Sequence, residues 1–492
     1  MKRTNITIAI LAVLILILGG LCYISWPLFT GEYTPAMHMV IEGLGNTYIG
    51  DMIVLHYLRR IEFDIPRGIG AAYELKSEDY EMTYLLLAGR LFCALVALTA
   101  FIASAALFVI NSGIGKERSP GSVSTVRTVV IVALVIAAGT LIRLIFAGVM
   151  YGNYDMQSYE MVVNIINKGH NVYATTPRYN YSPVWFWILS ALSKIRFPYL
   201  LMPFHILVKL FLCCMDLLTL GVLLLIANIR KLPAARTAIF FYLCPVSFLM
   251  TGYHGQFENF ALLMVLLGIY LYLRFAARPV LGTTLLWLFT TAGMIVKHNT
   301  FYELIICLHS SIKRYWVKLT LFAISVVMFL SLFIPYWKTG RQGIIDDVFK
   351  YGSFSGVYGL TSLFEIPQLK YAFILAMFVF PLFLKSKDII ARCLLGVLFF
   401  LTFTTGFAAQ YLILPVALGA LRPTKFFLIY VILASMLTLG NDNNVFMPGF
   451  NLLKLNFVWI AVICWFVAEM RQDRLEAVHV PEKGKSKSSR RL

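Results

Sequence analysis

Asp155 is the first residue along the chain whose type and position suggest chemistry. It follows the end of a long apolar run by a few residues, where a carboxylate at a membrane surface can face a cavity. Such a carboxylate can act as a general base. It can equally cap a helix, or balance a nearby cation such as Arg178. The residues alone leave all three roles open.

The residues after Asp155 predict a helix and then a rigid turn that would hold this carboxylate in place. Apolar residues recur at helical spacing as far as Ile166, and Gly169 is placed to end that helix. Aromatic residues and prolines from Tyr173 to Pro183 predict an extended turn, because the residue before proline avoids the helical region. The apolar run of about 13 residues after Pro183 is too short to span a membrane and predicts a helix in the interface.

The composition identifies the environment of these elements. The chain has 492 residues, of which 60% are apolar or aromatic and 13% are charged, and its mean hydropathy is +0.79. Soluble proteins have about 45–50% apolar and about 25% charged residues. The figures therefore exclude an ordinary soluble protein, a disordered chain and a disulfide scaffold, and they indicate a polytopic membrane protein.

We predict an all-α fold of about fourteen membrane-spanning helices, from apolar runs approaching or exceeding the length that a bilayer requires. The predicted spans are 7–28, 83–111, 126–150, 206–227, 237–251, 257–275, 279–296, 301–312, 316–337, 369–386, 389–406, 409–421, 425–440 and 452–470. Within the fourth span, Lys209 and Asp216 share a helix face two turns apart, and each is expected to pair with a neighbour.

The net charge of +18 follows from the loops between these spans and needs no nucleic-acid partner. Basic clusters occupy alternate loops, so the positive-inside rule places them all in the cytoplasm together with both termini. These clusters include Lys116, Arg118, Arg127, Arg230, Lys231, Arg236, Arg274, Arg278, Lys313, Arg314, Lys318, Lys385, Lys387, Arg392, Arg422, Lys425 and the tail from Lys483 to Arg491. The long polar segments 29–82, 151–205, 251–259 and 338–368 then lie outside.

These external segments resemble those of GT-C glycosyltransferases that use polyprenyl-phosphate sugars. The residues that carry the resemblance are Asp155, Gly169, Tyr173, Tyr181-Ser182-Pro183, His254-Gly255-Gln256-Phe257-Glu258-Asn259, Lys297, Tyr351, Ser353, Tyr358, Gly359, Gln410-Tyr411 and Pro415. Ser182 stands where many relatives have a second proline, and Glu258 replaces their usual Asp. The likeness is closest to bacterial polyprenyl-phosphomannose-dependent mannosyltransferases and to the catalytic subunit of GPI mannosyltransferase I, and it covers about residues 126 to 440.

The resemblance implies a GT-C-like fold and an inverting glycosyltransferase, with mannose as the expected sugar. Asp155 is the expected catalytic base. The expected substrate-binding residues are His254, Gln256, Glu258, Lys297, His298, Arg178, Tyr181, Lys350, Tyr351 and Tyr411. No metal or other cofactor is expected, because Asn153, two residues before Asp155, leaves the Asp-x-Asp pattern of a metal site incomplete.

The expected partners are a lipid-linked sugar donor, membrane lipid, and a glycolipid, polysaccharide or protein acceptor. The expected location is a prokaryotic plasma membrane with the site facing outside; the alternative is an endoplasmic reticulum membrane with a lumenal site. A transporter or flippase for a lipid-linked sugar is the competing function, although the internal repeat typical of that class is not evident. A non-catalytic scaffold is a third reading.

Three regions are predicted along the chain. Residues 1–125 form a two-span extension that includes the external segment 29–82, residues 126–470 form the catalytic module, and residues 471–492 form a basic cytoplasmic tail.

Overall fold

The computed structural model confirms the all-α class in the parts of the chain that it describes. These parts are residues 32–33, 35–45, 78, 80–81, 84, 123–149, 154–195, 203–351, 358–364, 368–440 and 450–478. No β-strand occurs in these ranges. The predicted spans 7–28 and 83–111, most of the segment 29–82 and the tail from 479 onward lie outside the described residues.

Helices account for most of the described chain. The α-helices are Pro35–Gly45, Val123–Val149, Tyr154–Asn167, Val172–Thr175, Pro183–Ser193, Phe204–Ile229, Ala234–Tyr242, Pro245–Phe248, Glu258–Arg274, Pro279–Val296, Phe301–Ser311, Tyr315–Ser331, Ile334–Gly343, Leu369–Val379, Ile389–Phe403, Val416–Leu421, Lys425–Gly440 and Phe450–Val478. Shorter turns join them: the π-helical Leu249–Tyr253 and Ile344–Phe349, and the 3₁₀-helical His298–Thr300, Gly359–Ser362, Phe380–Phe383 and Ala409–Ile413.

Several of these helices are apolar enough to cross a membrane. Within the described residues, Thr128–Gly148, Phe204–Ile229 and Pro279–Val296 meet that length and composition as single helices, and two bent pairs bring the number to 5. The predicted spans 126–150, 206–227 and 279–296 correspond to the three single helices. The predicted count of about fourteen stays a prediction.

Proline explains one of the two bends. The predicted span 237–251 is broken between Ala234–Tyr242 and Pro245–Tyr253, with a bend of 49°. Cys244, which precedes Pro245, has the extended backbone expected of a residue before proline, with a ψ of 123°. The missing amide hydrogen of Pro245 is tolerated because it begins the second helix.

Other predicted spans are shorter or less straight than the sequence suggested. The predicted span 316–337 ends as a straight helix at Ser331, and the chain then turns by 79° into the segment Ile334–Phe349, which carries Pro335 in its first turn. The predicted span 301–312 is an 11-residue helix, and 409–421 divides into a 3₁₀ turn and the 6-residue helix Val416–Leu421. Helices this short do not cross a bilayer, which needs about 20 residues.

The chain divides into two compact units. The first comprises 1–118 and 443–448, and the second comprises 119–442 and 449–492. In the first unit, the ring of Tyr33 packs 5.7 Å from that of His38 and 5.9 Å from that of Tyr84. All residues of the candidate site described below belong to the second unit.

The second unit brings residues from alternate loops together. Asp388 accepts hydrogen bonds from Arg230 at 2.6 Å and from Arg422 at 3.2 Å, and the three residues come from loops assigned to the cytoplasm. His254 belongs to the segment 251–259 assigned to the outside, and its Nε2 lies 2.9 Å from the backbone oxygen of Thr438, near the end of the predicted span 425–440. This grouping is what alternating spans produce, while the cytoplasmic assignment itself stays a prediction.

Candidate functional site

Asp155 lies in the first turn of the helix Tyr154–Asn167, which the sequence predicted. The helix ends in a Schellman motif, in which Gly169 has a φ of +76° and the amide of His170 donates to Ile165 O at 3.1 Å. The positive end of the helix dipole favours a carboxylate at this position. Asp155 is half-buried, and its Oδ2 accepts a hydrogen bond from Gln256 Nε2 at 2.6 Å.

The segment that supplies Gln256 is shaped by a π-helical turn and a glycine. The amide of His254 donates to Leu249 O and that of Gln256 to Met250 O, both at 2.8 Å. Gly255 has a φ of +69°, and a Cβ atom there would collide with the side chain of Met156. The absence of a side chain at Gly255 therefore lets this segment lie against the helix that carries Asp155.

Lys297 and Glu258 form a buried ion pair beside this segment. Their side chains are 3% and 1% exposed, and Lys297 Nζ donates to Glu258 Oε1. Lys297 Nζ also lies 4.2 Å from the ring centre of Phe257 and 4.9 Å from that of Tyr181. The lysine is thus held inside the protein by a counter-charge and two aromatic faces, rather than extended to the surface.

A cluster of aromatic side chains packs around Phe257, one of the two rings that Lys297 contacts. Phe257 stacks on Trp185 at 4.1 Å and meets the edge of Tyr181 at 4.9 Å. Trp185 belongs to the helix Pro183–Ser193, whose buried face packs into the protein core while Trp187 is 43% exposed. The helix that the sequence placed in the membrane interface therefore also forms part of the wall of the site.

A small cleft gathers several of the predicted substrate-binding residues. It is lined by Asn180, Tyr181, Lys297, His298, Asn299, Tyr351, Ala408, Gln410 and Tyr411. Its volume of about 20 Å³ suits a single ordered water. Four segments that are far apart in sequence meet here, and two of them belong to the long polar segments 151–205 and 338–368 that were assigned to the outside from charge.

Burial sets the protonation states in the cleft. It raises the pKa of Tyr181 well above its usual range, and the nearby Asp155 carboxylate adds to this effect, so the phenol stays protonated. Burial and the adjacent Lys297 lower the pKa of His298 to about 4, so this imidazole is neutral at neutral pH. Lys297 is therefore the cation that the cleft offers, and the other two groups act through hydrogen bonds.

The remaining predicted binding residues lie away from the cleft lining. His254 is 2% exposed, and its Nε2 lies 2.9 Å from Thr438 O, which indicates an anchor for the segment 251–259. Lys350 is 67% exposed and pairs with Asp346 at 2.9 Å. Arg178 is half-buried in the turn after Thr176, whose Oγ1 accepts from the Arg178 amide at 3.2 Å.

No protein-family model, no curated protein and no solved structure matches this chain.

A second buried network, centred on Asp216, steadies the segment 251–259. Asp216 accepts from Arg143 Nε at 2.8 Å, from Thr251 Oγ1 at 2.8 Å and from Asn259 Nδ2 at 2.5 Å. The predicted pairing of Asp216 with a neighbour is confirmed, and the partner is Arg143 from another helix. Lys209 is fully buried and lies close to Gly255.

Sequence reasoning overlooked Arg143, Asn180 and Asn299. An arginine within a long apolar run was the available signal for Arg143, since intramembrane charges are costly unless paired. Asn299 follows Lys297 and His298 directly, and this adjacency was its only signal. Asn180 lies next to Tyr181 in the aromatic turn. Within the described ranges, no three His, Cys, Asp or Glu side chains group as a metal site would need.

Proposed function

We propose that the protein transfers a sugar from a polyprenyl-phosphate donor to an acceptor hydroxyl, with inversion at the anomeric carbon. The observation that carries the proposal is that one segment, 251–259, contacts two groups suited to this reaction, because Gln256 donates to Asp155 and Glu258 pairs with Lys297. One is the Asp155 carboxylate, held by Gln256 at 2.6 Å, and the other is the buried Lys297. They supply a base for the acceptor and a cation for the leaving phosphate.

The proposed reaction is a single displacement. The acceptor oxygen attacks the anomeric carbon while its proton passes to Asp155, and the bond from that carbon to the phosphate oxygen breaks. The electron pair of the broken bond leaves with the polyprenyl phosphate. A carboxylate in hydrogen-bond reach contributes about 10²–10⁴-fold to such a step. No covalent sugar–enzyme intermediate is needed, unlike the retaining hydrolases that use two carboxylates.

Lys297 is suited to the leaving group. The negative charge on the phosphate increases as the bond to the sugar breaks, and a buried cation stabilises it more strongly than an exposed one. Before the donor binds, Glu258 neutralises Lys297 and keeps the lysine from being an unpaired buried charge. The donor phosphate would share or replace that contact.

The proposed setting is a membrane with the site on its extracytoplasmic side. The donor is a lipid-linked sugar, for which mannose is the first candidate, and the acceptor is a glycolipid, polysaccharide or protein. A prokaryotic plasma membrane is the proposed location. Support comes from the agreement between the loops assigned outside by charge and the segments that line the cleft.

In the decisive experiment, short-chain polyprenyl-phosphate mannose, glucose and arabinose are added in turn to the purified protein in detergent. The release of polyprenyl phosphate is measured. We expect release with one sugar, and a loss of about 10²–10⁴-fold in Asp155→Asn. Asp346→Asn is the matched control, because Asp346 is an exposed acid outside the cleft. Its activity should equal that of the wild type.

Two outcomes would contradict the proposal. A fully active Asp155→Asn protein would remove Asp155 as the base. If no donor releases polyprenyl phosphate, while liposomes containing the protein move a lipid-linked sugar across their membrane, the protein is a carrier rather than a transferase.

A further inference from the structure

Carboxamide side chains make up a third of the residues that line the cleft. Asn180, Asn299 and Gln410 contribute three of its lining residues, alongside Lys297 and the tyrosines. None of the described lining residues is an aspartate or glutamate. A surface of amides, phenols and one cation offers both donors and acceptors without repelling a phosphate, which suits a ligand that carries neutral hydroxyl groups next to an anion.

Asn299 differs from Asn171 and Asn259, two other asparagines of the second unit, in its hydrogen bonding. It is 7% exposed, yet neither its Oδ1 nor its Nδ2 has a hydrogen-bond partner in the described part of the protein. Asn171, by contrast, caps a helix by accepting from the amide of Tyr173 at 3.1 Å. The Nδ2 of Asn259 donates to Asp216. Buried amides are rarely left without partners, so a group that the cleft receives is expected to bind Asn299.

The local backbone does not need the Asn299 side chain. The 3₁₀ turn His298–Thr300 is closed by Thr300, whose amide and hydroxyl donate to Lys297 O at 3.1 and 3.0 Å. The turn therefore keeps its shape without help from the amide of Asn299. It also presents Asn299 two residues beyond Lys297, on the wall of the same cleft.

We propose that Asn299 recognises hydroxyl groups of the donor sugar while Lys297 binds the adjacent phosphate. A carboxamide presents one acceptor oxygen beside an NH₂ donor, and two neighbouring hydroxyls of a sugar ring can accept from one and donate to the other. Tyr351 and Tyr411 supply aromatic faces on the same cleft for the C–H side of the ring. This inference rests on the proposed function, because it assigns Asn299 to the sugar of a polyprenyl-phosphate donor.

A sugar requires more room than the present cleft provides. At about 20 Å³ the cleft has room for one water, so a lining side chain must move when the sugar enters. Tyr351 is 46% exposed and is the most exposed of the described lining residues. Its movement would open the cleft toward solvent without disturbing the buried Lys297 and Asn299.

The test is an equilibrium binding measurement in detergent. Two probes are compared: short-chain polyprenyl-phosphate mannose, and the same polyprenyl phosphate without a sugar. The wild-type protein should bind the sugar-bearing probe more tightly. Asn299→Ala should lose about ten-fold of that preference, because two neutral hydrogen bonds are removed, and keep its affinity for the bare phosphate. Asn164→Ala, at an exposed asparagine outside the cleft, should bind both probes as the wild type does.

Several results would overturn the assignment. They are a wild-type protein with no preference for the sugar-bearing probe, an Asn299→Ala protein that keeps the full preference, and an equal loss of affinity for both probes. Asn299→Ser, which keeps a polar group, is measured alongside the alanine variant, and unaltered binding of the bare phosphate marks a folded protein. If the preference exists and depends on Asn299 while no sugar is transferred, the recognition stands and the proposed transfer fails.

Discussion

At the scale of single residues, the buried Lys297–Glu258 pair leads to a definite prediction about the free energy of unfolding. Removing one partner leaves a buried charge without compensation, which costs about 3–5 kcal/mol, whereas removing both leaves none. We therefore expect Lys297→Met and Glu258→Gln each to lower the unfolding midpoint in detergent. The double variant should unfold closer to the wild type than either single variant does.

Strictly additive losses in that double-mutant cycle would contradict a buried, coupled pair. The Lys350–Asp346 pair is the matched control, because its side chains are 67% and 41% exposed. Exposed pairs contribute little, so Asp346→Asn should leave the midpoint near that of the wild type.

The stability of the protein is expected to depend on pH through His298. Its pKa lies at about 4 in the folded protein, against an ordinary value of 6.5, because burial and Lys297 disfavour the charged ring. Between these values the unfolded chain binds the proton and the folded protein does not. Protonation therefore favours unfolding, and stability is lost as the pH falls from 6.5 toward 4.

The measurement is the unfolding midpoint of the wild type and of His298→Asn across this pH range. The variant has no titrating ring at this position, so its midpoint should fall less steeply than that of the wild type. Parallel curves would show that His298 titrates normally in the folded protein.

At the scale of elements, substitutions at two glycines distinguish the free-energy cost of a strained backbone from the cost of a steric collision. Gly169 and Gly255 have φ angles of +76° and +69°, so alanine is strained at both. No atom lies within 4 Å of a Cβ atom at Gly169, whereas one at Gly255 would collide with Met156. We expect Gly169→Ala to cost about 1 kcal/mol and Gly255→Ala to cost more, because the end of the Met156 side chain must move although Met156 is fully buried.

The comparison is made by the unfolding midpoint and by the release assay. Gly255→Ala should also lower activity, because Gln256, the next residue, holds Asp155. Restoration of part of the midpoint by Met156→Ala would identify the collision as the cause. Equal effects of the two glycine substitutions would contradict the close packing of the segment 251–259 on the helix Tyr154–Asn167.

At the scale of the whole molecule, the orientation in the membrane decides which compartment the cleft faces. Exposed His170 belongs to a segment assigned to the outside, and exposed Arg278 lies in a loop assigned to the cytoplasm. We expect His170→Cys, but not Arg278→Cys, to react with a membrane-impermeant maleimide added to intact cells, relative to the wild-type background. The reverse pattern would place the cleft in the cytoplasm and contradict the proposed setting.

The amino-acid sequence alone determined the class of structure and much of the local geometry. A chain this apolar must satisfy its backbone polar groups internally, and helices do so within a single segment. The apolar period after Asp155 and the position of Gly169 predicted the helix Tyr154–Asn167 and its end, because helix period and capping depend on neighbouring residues. The alternation of basic loops along the sequence also assigned the loops of Arg230, Asp388 and Arg422 to one side, and the structure brings these three residues together.

Only the tertiary structure decided the pairings. Asp216 bonds to Arg143, 73 residues away, and His254 lies against Thr438, 184 residues away. The sequence did not identify a partner for Lys297, and the structure pairs it with Glu258. The structure also leaves Lys350 out of the cleft lining and places Asn299 in that lining. Such contacts depend on how distant helices pack and bend, and local residue patterns carry little information about that packing.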